Sequence, residues 1–426
     1  MARKPGARKR LSPSERATRE LGKLRKRMVD FAVRLLSVPT VNPPGRAYKE
    51  CCELLAGKLQ SLGMTTHIYR VPRAFQEKVL PGSADYPRYN VVGRWDVGAR
   101  RTLHFTGHTD VVPPTSGWKT DPFKPVIKGN RLYARGANDM KGSNAAAIFA
   151  VEAMMAAGIT PSWNIEFSFT ADEETGGELG LGWLVKSGKV RPDAAVLLEG
   201  AGGSTVGYAH KGVLWLEVTV IGKPSHACVP GYGVNALEMA CKLIEEFRPL
   251  QAAYRKRRTA YRMGSEAYKH PTLVVGGVVG GGGKVNTVPD RFRFSIDRRI
   301  NPEETATAAK AEIMAVIRKA QRKHRRLKVS VRQLLNVPPA WIDPDHEFCK
   351  VAQSACQAVY GRKPTLRMTP GFTDMHWLSI DAKVPTVLYG CGGGGGAHAD
   401  QEHTVIPAML KGARVLIEIA TRLPAG

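Results

Sequence analysis

The spacing of apolar residues divides the chain into segments with helical and strand periodicity. An amphipathic helix is predicted from Met28 to the prolines of "VPTVNPPG", and a second helix ends at Gly63. Strand and helical patterns then alternate in "YNVVGRW", "RTLHFTGH", "GSNAAAIFAVEAMMAAG", "NIEFSFTAD", "LGLGWLVKSG" and "AAVLLEG". This alternation predicts a largely parallel sheet that is covered by helices.

The pattern changes near residue 210. Six segments follow in the order β-α-β-β-α-β, namely "GVLWLEVTVIG", "VNALEMACKLIEEFRPL", "TLVVGGVVGG", "RFRFSIDRR", "ATAAKAEIMAVIRKAQRKH" and "LKVSVRQL". This is the split-βαβ order of a ferredoxin-like unit. We therefore expect an α/β domain over residues 28–209 and 337–426, which a small four-stranded domain over 210–336 interrupts.

Basic residues are in large excess and give the chain a formal net charge of +26. Residues 1–27 contain eleven Lys or Arg and two Glu, and further basic clusters lie at 254–258 and 318–326. No zinc-finger spacing, helix-turn-helix signature or aromatic-rich RNA motif accompanies them. We therefore expect a solvated basic surface, a tail over 1–27 that is disordered or at most a frayed helix, and no nucleic-acid partner.

The overall composition is that of a globular protein. Hydrophobic residues make up 43% of the 426 residues, and no apolar run reaches the roughly 18 residues that a membrane span needs. The seven cysteines form no CxxC pair, and the first residues lack the apolar core of a signal peptide. These features predict a cytoplasmic protein without disulfides or membrane attachment.

Polar residues follow the predicted strand "RTLHF". His108 and Asp110 lie two residues apart, just before a pair of prolines that cannot continue a central strand. Taken alone, this His is most simply a structural histidine. The alternative is that His108 binds a metal while the Asp110 carboxylate orients its ring. Further ligands at later strand ends would favour the second interpretation.

Four such candidates occur downstream, each after a predicted strand. They are Asp139 in "GANDMKG", Glu174 in "TADEETGG", Glu199 in "LLEG" and His398 in the glycine-rich "GCGGGGGAHADQEH". Each has an ordinary explanation alone, as a helix cap, a solvated turn or a flexible loop. Together with His108 they form a nitrogen and oxygen ligand set at the edge where open α/β sheets bind ligands, and such a set suits zinc or cobalt.

Several motifs carry a family resemblance. The chain resembles the zinc-dependent aminoacylase/carboxypeptidase superfamily, and "GHTDVVPP", "YARGANDMKGS" and "TADEETGG" are most similar to the acetylornithine deacetylase / succinyl-diaminopimelate desuccinylase family. The resemblance continues through "GKPSHACVPGYGVNA", "NTVPD", "SIDRRINP", "GFTDMHW" and "AHADQEH". It implies a zinc-exopeptidase-like catalytic domain with an inserted ferredoxin-like domain that serves as lid and dimerisation domain.

The resemblance also implies a set of metal ligands. In such a site His108 and Glu199 hold one zinc ion, Glu174 and His398 hold the other, and Asp139 bridges both. Cobalt is an expected substitute for zinc. Two zinc ions with three carboxylates leave one net positive charge, which is enough to activate a water molecule near neutral pH.

Further roles follow from the same motifs. Glu173 is the implied general base, and Asp110 is the implied partner that orients His108. The peptide bond between Asp139 and Met140 is expected to be cis, as it often is in the family. Because side chains of successive residues diverge, Glu173 and Glu174 can serve different functions.

The inserted domain is expected to meet the substrate. His226 in "PSHAC" matches the family histidine that reaches the substrate carbonyl, and we expect it to act on the partner subunit's site in a homodimer. Asn286 and Arg299 match the positions that bind the substrate carboxylate. His376 in "TDMHW" departs from the arginine of many relatives, which leaves the fine specificity open.

The function implied is a metal-dependent amidohydrolase that cleaves the amide of an N-acyl amino acid, as in amino-acid biosynthesis. A metallo-carboxypeptidase or dipeptidase is the alternative on the same scaffold. A retired hydrolase scaffold that binds nucleic acid or anions through its basic surface is disfavoured, because all five ligands and Glu173 are present. The acyl group is not determined by the sequence, and neither is the effect of the glycines at 392–396.

Overall fold

The computed structural model describes residues 11–200 and 202–425. They form two compact units. The first unit comprises the described residues up to Tyr208, with Ile342–Leu366 and the chain from Trp377 onward. The second comprises Ala209–Trp341 and Arg367–His376. The insertion expected over 210–336 falls within the second unit, which additionally includes a segment near the C-terminal end.

The helices and strands of both units are numbered in chain order. The helices are α1 Pro13–Leu36, α2 Tyr48–Gln60, α3 Arg73–Val79, α4 Lys141–Ala156, α5 Leu181–Lys186, α6 Ala236–Glu246, α7 Arg248–Tyr254, α8 Ala306–Lys323, α9 Glu347–Tyr360 and α10 Ile406–Arg422. The strands are β1 Thr65–Arg70, β2 Tyr89–Trp95, β3 Thr102–His108, β4 Val126–Lys128, β5 Arg131–Tyr133, β6 Asn164–Thr170, β7 Ala194–Leu197, β8 Thr205–His210, β9 Gly212–Ile221, β10 Thr272–Gly281, β11 Arg291–Ile300, β12 Lys328–Val337, β13 Ala340–Trp341, β14 Thr365–Thr369, β15 Thr386–Leu388 and β16 His403–Val405.

The main sheet of the first unit has the strand order β1-β2-β6-β3-β7-β15-β8. Only the central strands β6, β3, β7 and β15 run parallel, whereas β1, β2 and β8 pair antiparallel with their neighbours. The prediction of a largely parallel sheet therefore holds for the centre and is wrong for the margins. The reason is that the hydrophobic pattern of a strand carries no information about its direction.

The central strands bury both of their faces. Every residue of β3 and β6 is buried, and Phe105 pairs with Phe167 in the parallel ladder. The alanine-rich helix α4 is buried along nearly its whole length and packs against α1 and α10. Polar residues alternate with apolar ones in β3 and β6, and buried polar side chains on the second face, such as His104 and Glu166, hydrogen-bond to each other at 2.8 Å. His108 is the last residue of such a strand.

Helix α1 corrects the prediction of a disordered tail over 1–27. The helix begins at Pro13, and Ser12 and Glu15 form a capping box at its N-terminus. Ala17, Leu21 and Leu24 are buried at helical spacing within the basic stretch. The excess of basic residues made this narrow apolar stripe hard to recognise in the sequence. The stripe is nevertheless enough to pack the helix against the first unit. Residues 1–10 of the expected tail lie outside the described residues.

The second unit contains a four-stranded antiparallel sheet with the order β10-β11-β9-β12. Helices α6 and α8 pack on it and bury an apolar core that includes Leu216, Phe294 and Ile313. The predicted β-α-β-β-α-β order and the ferredoxin-like architecture are confirmed. The basic residues between Arg318 and Lys328 are exposed.

No helix within the described ranges is both long enough and apolar enough to cross a membrane.

Candidate active site

Loops that follow strands of the first unit bring four of the five predicted ligands together, namely His108, Asp139, Glu174 and His398. His108 ends β3, Glu174 follows β6 and His398 lies in the loop after β15. Asp139 differs from the expectation, because β5 belongs to a separate small sheet of β16, β5 and β4. The peptide bond between Asp139 and Met140 is cis, as predicted.

The carboxylate of Asp139 lies between two imidazole rings. Its Oδ1 is 3.1 Å from His108 Nε2, and its Oδ2 is 3.3 Å from His398 Nε2. His398 Nε2 is also 3.1 Å from the Glu174 carboxylate. One ligand atom each from His108, Asp139 and Glu174 lies within 4.8 Å of the others. These nitrogen and oxygen donors could hold a divalent cation.

The tautomer of His108 suits a metal ligand. Its Nδ1 donates a hydrogen bond to the backbone carbonyl oxygen of Asp110 at 3.0 Å. A neutral ring therefore carries its proton on Nδ1 and leaves Nε2, which faces Asp139, with a free lone pair. The ring is buried at the end of β3, so its orientation is fixed by packing as well as by this hydrogen bond.

Glu199 lines the same cavity as Asp139. The cavity measures about 500 Å³ and has few large side chains. Its lining residues are Asn138, Asp139, Ser143, Glu199, Gly200, Gly202, Gly203, Gly390, Gly392, Gly393, Gly394 and Ala397. Gly394 cannot be replaced easily, because a Cβ atom there would collide with the carbonyl oxygen of His403. Close backbone packing thus requires this glycine of the run at 392–396.

The electrostatics of the site favour positive charge between the carboxylates. Hydrogen bonds to Asp139 and Glu174 raise the pKa of His398 to about 10. Burial opposes protonation of His108, yet its carboxylate neighbours raise the pKa of His108 well above the usual value. Burial raises the pKa of Glu174, whereas both imidazoles hold the pKa of Asp139 below its ordinary range despite burial. The same field attracts a metal cation.

Asp110 lies next to both His108 and the acidic turn. Its carboxylate oxygen is 3.6 Å from His108 Nδ1, too far for a good hydrogen bond, and the backbone carbonyl takes that place. The carboxylate instead accepts the backbone N–H groups of Glu173 at 3.2 Å and Glu174 at 3.1 Å. Asp110 therefore fixes the turn that carries both glutamates.

That turn is sharp and buried. Asp172 adopts a left-handed conformation with φ of 64°, and a short 3₁₀ helix over Glu173–Thr175 follows. Glu173 is 5% exposed, so its carboxylate lies in a sheltered environment beside the cluster of ligands. The geometry separates two consecutive glutamates, because Glu174 contacts His398.

A buried network behind this turn was not predicted. The Asp172 carboxylate accepts hydrogen bonds from Arg88 at 2.8 Å, Tyr48 at 3.1 Å and Asn42 at 3.1 Å. The amide of Asn42 also donates to Asp110 at 3.0 Å. Burial raises the pKa of Asp172 to about 6, although Arg88 opposes the rise. The only sequence signal was the "NPPG" turn, whose Asn42–Pro43 and Pro43–Pro44 bonds are cis.

The candidate substrate-binding residues lie in the second unit. His226 is exposed, and its Nδ1 accepts the backbone N–H of Cys228 at 3.1 Å, which leaves the proton of a neutral ring on Nε2. The Asn286 carbonyl accepts the N–H of Ala227 at 3.0 Å, so Asn286 lies beside His226. Arg299 is held by both carboxylate oxygens of Asp297, at 2.8 and 3.0 Å.

His376 is a buried residue. It is 2% exposed, and its Nδ1 donates to the carbonyl oxygen of Thr373 at 2.9 Å. Its ring packs edge-on against His210, with centroids 6.0 Å apart. The residue that departs from the family pattern is therefore part of the packing of the second unit.

Comparison with known proteins identifies the family. The model of peptidase family M20/M25/M40 matches residues 104–422. A succinyl-diaminopimelate desuccinylase of Gluconobacter oxydans is 31% identical over 335 residues, which cover 76% of this chain and 80% of that protein. An uncharacterized metallohydrolase of Methanocaldococcus jannaschii is 26% identical over 404 residues, which cover 90% and 96% of the two chains.

Solved structures share the fold at low sequence identity. The di-peptidase Dug1p of Saccharomyces cerevisiae has a TM-score of 0.78 at 16% identity, covering 97% of this chain and 100% of that one. The metallo-carboxypeptidase Sso-CP2 of Sulfolobus solfataricus has a TM-score of 0.73 at 21% identity, covering 92% and 98%. The resemblance seen in the motifs is confirmed, and the chain belongs to peptidase family M20/M25/M40, a family of hydrolases.

Proposed function

We propose that the protein is a di-zinc amidohydrolase that removes the acyl group of an N-acyl amino acid. The observation that carries the proposal is the Asp139 carboxylate, whose two oxygens face His108 and His398 at 3.1 and 3.3 Å. A carboxylate between two imidazoles, with Glu174 beside one of them, matches the needs of two adjacent divalent cations. The desuccinylase name of a relative at 31% identity supports the acyl-amino-acid substrate class.

The residues that would hold the metals fit this chemistry. His108 and Glu199 would bind one ion, Glu174 and His398 the other, and Asp139 both. All donors are nitrogen or oxygen atoms, which suits zinc and accepts cobalt as a substitute. When bound, such ions supply Lewis-acid polarisation and lower the pKa of water.

Glu173 would be the general base. It is buried next to Glu174 in the acidic turn, and only Glu174 of the two is assigned to a metal in this proposal. Its task is to accept the proton of the attacking water and to deliver it to the leaving amine. Asp110 would support this role by holding the backbone of the turn.

His226, Asn286 and Arg299 would bind the substrate. The Nε2–H of His226 can donate to the carbonyl oxygen as negative charge develops on it. Arg299 would pair with the substrate carboxylate, and Asp297 keeps its guanidinium plane in a fixed orientation. The backbone of Asn286 is hydrogen-bonded to Ala227, the neighbour of His226. The side chain of Asn286 would contribute polar contacts to the substrate.

We further propose a homodimer formed through the second unit, in which His226 serves the partner's metals. The edge strand β10 exposes Val274, Val278 and Val279 by 55%, 65% and 59%, and an exposed apolar edge strand is suited to pairing with a second copy. Mixing His226→Ala with Glu173→Ala chains tests this arrangement. Mixed dimers should regain up to about half the activity of a wild-type dimer, because one of two independent sites is intact. Mixed dimers without activity would contradict action in trans.

A metallo-carboxypeptidase or dipeptidase activity is the second candidate. A peptide presents the same amide group and the same terminal carboxylate as an N-acyl amino acid. The roomy, glycine-lined cavity next to Asp139 and Glu199 is compatible with a residue side chain as well as with an acyl chain.

A matched hydrolysis panel distinguishes the two candidates. The zinc-loaded protein is assayed with N-succinyl-diaminopimelate, N-acetylornithine, other N-acyl amino acids and dipeptides of the same amino acids. The proposal expects kcat/KM to be highest for an N-acyl amino acid. Faster hydrolysis of dipeptides than of every N-acyl compound would favour the second candidate, and Glu173→Ala provides the inactive control.

A further inference from the structure

Glu402 is a buried carboxylate that lies outside the predicted ligand set. It is 1% exposed, and both of its oxygens are used. Oε2 accepts hydrogen bonds from Arg135 at 2.8 Å and from the backbone N–H of Gly136 at 3.0 Å. Oε1 accepts the backbone N–H groups of Asn138 at 2.9 Å and Asp139 at 3.0 Å. One side chain thus accepts hydrogen bonds from four donors of the loop that ends at Asp139.

The charge of Glu402 is compensated locally. The guanidinium of Arg135 is equally buried, so the two residues form an ion pair away from water. Burial raises the pKa of Glu402, whereas the backbone N–H groups and Arg135 oppose this rise. These contacts cannot be exchanged for water hydrogen bonds without opening the loop, so the carboxylate restrains the backbone at Asp139.

The same residue also belongs to the loop that carries His398. Only four positions separate His398 from Glu402, and β16 begins at the next residue. Strand β16 pairs with β5, which precedes the Asp139 loop, and Ala134 N donates to the Glu402 carbonyl at 3.2 Å. The loops of His398 and Asp139 are therefore joined by a strand pair and by one carboxylate.

We infer that Glu402 is a positioning residue that fixes the Asp139 loop relative to the His398 loop. Both sides of the proposed metal centre would then form together. The inference rests on the proposed function, because it assumes metals on both sides of Asp139. Glu402 is not one of the proposed metal ligands, and both of its carboxylate oxygens accept hydrogen bonds from the protein. It acts by holding the backbone N–H of Asp139 while the two oxygens of that residue face His108 and His398.

The inference predicts an effect on both metals from a residue that ligates neither. In Glu402→Gln the side-chain amide places a donor against backbone donors, so the Asp139 loop loses part of its restraint. Loss of such an outer partner typically weakens metal affinity by about 10- to 100-fold. A purely structural ion pair would lower the thermal stability of the metal-free protein and leave the metal affinity unchanged.

Glu152→Gln is the matched control. Glu152 is also a buried glutamate with two cationic partners, Lys58 at 2.6 Å and Arg27 at 2.7 Å, and it lies on α4. Neither of these contacts involves the loops of Asp139 or His398. The two variants therefore remove comparable ion pairs from the same unit, and they differ in what the carboxylate holds.

The experiment titrates zinc and cobalt into the metal-free full-length proteins by calorimetry and records the visible spectrum of bound cobalt. Wild type and Glu152→Gln should bind two metals alike, whereas Glu402→Gln should bind both about 10- to 100-fold more weakly with an altered cobalt spectrum. Wild-type affinity for both metals in Glu402→Gln would overturn the inference alone. A wild type that binds no metal would overturn the proposed function. If Glu402→Gln does not fold, Glu402→Asp replaces it, and wild-type affinity there would overturn the inference equally.

Discussion

The carboxylate of Asp110 accepts the backbone N–H of Glu173 at 3.2 Å. Its second oxygen accepts the N–H of Glu174 at 3.1 Å, so one side chain holds the backbone of both adjacent glutamates. The two side chains leave the turn in different directions, and Glu174 contacts His398. This relationship explains how consecutive identical residues can be given different chemical functions.

Asp110→Asn should lower kcat by about 10- to 100-fold while the protein stays folded. The asparagine amide turns a donor toward one of the two backbone N–H groups, which displaces the turn that carries Glu173. Asp193→Asn is a suitable control, because Asp193 also accepts a backbone N–H, that of Thr102 at 2.8 Å at the other end of β3. Steady-state kinetics of the two variants provide the measurement. An unchanged kcat in Asp110→Asn would mean that the turn needs no such support.

The two glutamates should respond differently to substitution. Glu173→Ala is expected to keep both metals and to lose at least about 100-fold in kcat, which is the usual contribution of a general base. Glu174→Ala is expected to lose or weaken one metal, because its carboxylate contacts His398. Metal analysis beside kinetics separates the outcomes. If Glu173→Ala lost the metal instead, the two roles would be exchanged.

The motifs were sufficient to predict which loops form the site, because His108, Asp139, Glu174 and His398 converge as expected. The supporting contacts were not predictable from the same motifs. The Asn42 amide reaches Asp110 and Asp172 across 68 and 130 residues of sequence, and no local pattern encodes such a contact. Similarly, the motifs did not indicate that His108 Nδ1 donates to the backbone carbonyl of Asp110 at 3.0 Å, with the Asp110 carboxylate 3.6 Å away.

The fold was predicted well where periodicity decides it. The order of elements in the second unit followed from alternating strand and helix patterns, and its four strands form one antiparallel sheet. The N-terminal helix was predicted to begin at Met28, with at most a frayed helix before it, because net charge was given more weight than the stripe formed by Ala17, Leu21 and Leu24. Charged residues on a helix remain in water while a narrow apolar face packs, so a basic composition does not exclude order.

Helix α1 should therefore contribute to stability. Leu21 is 1% exposed, and Leu21→Ala is expected to lower the free energy of unfolding by about 2–5 kcal/mol, the usual cost of truncating a buried leucine. Arg25→Ala on the exposed side of the same helix is the control and should change stability by less than about 0.5 kcal/mol. Denaturant unfolding gives both values. Equal stability of the two variants would support a dispensable segment instead.

His210 should make stability depend on pH. Burial lowers the pKa of His210 to about 4, and its Nε2 has no hydrogen-bond partner among the described residues. The unfolded chain takes up a proton near pH 6.5, whereas the folded protein resists protonation until about pH 4. The stability contributed by the neutral ring is thus complete above pH 6.5 and is lost as the pH falls toward 4.

His210→Asn tests this pH dependence, because asparagine does not titrate and keeps a donor near the position of Nδ1. Thermal unfolding of both proteins is measured between pH 7.5 and 4.5. As the pH falls, the wild type should lose more stability than the variant. The change should approach about 3 kcal/mol, since each tenfold difference in proton affinity is worth about 1.4 kcal/mol. Parallel curves for the two proteins would show that His210 is protonated at its ordinary pKa.

Metal-dependent amide hydrolysis is tested most directly by counting metals and turnover in one sample. The protein is stripped with a chelator, assayed with the best substrate of the N-acyl amino acid panel, and then titrated with zinc or cobalt. We predict that turnover disappears without metal and returns on titration, with full activity near two bound ions per chain. Full turnover in protein that contains no metal, or no hydrolysis of any amide by protein that holds two ions, would contradict the proposed function.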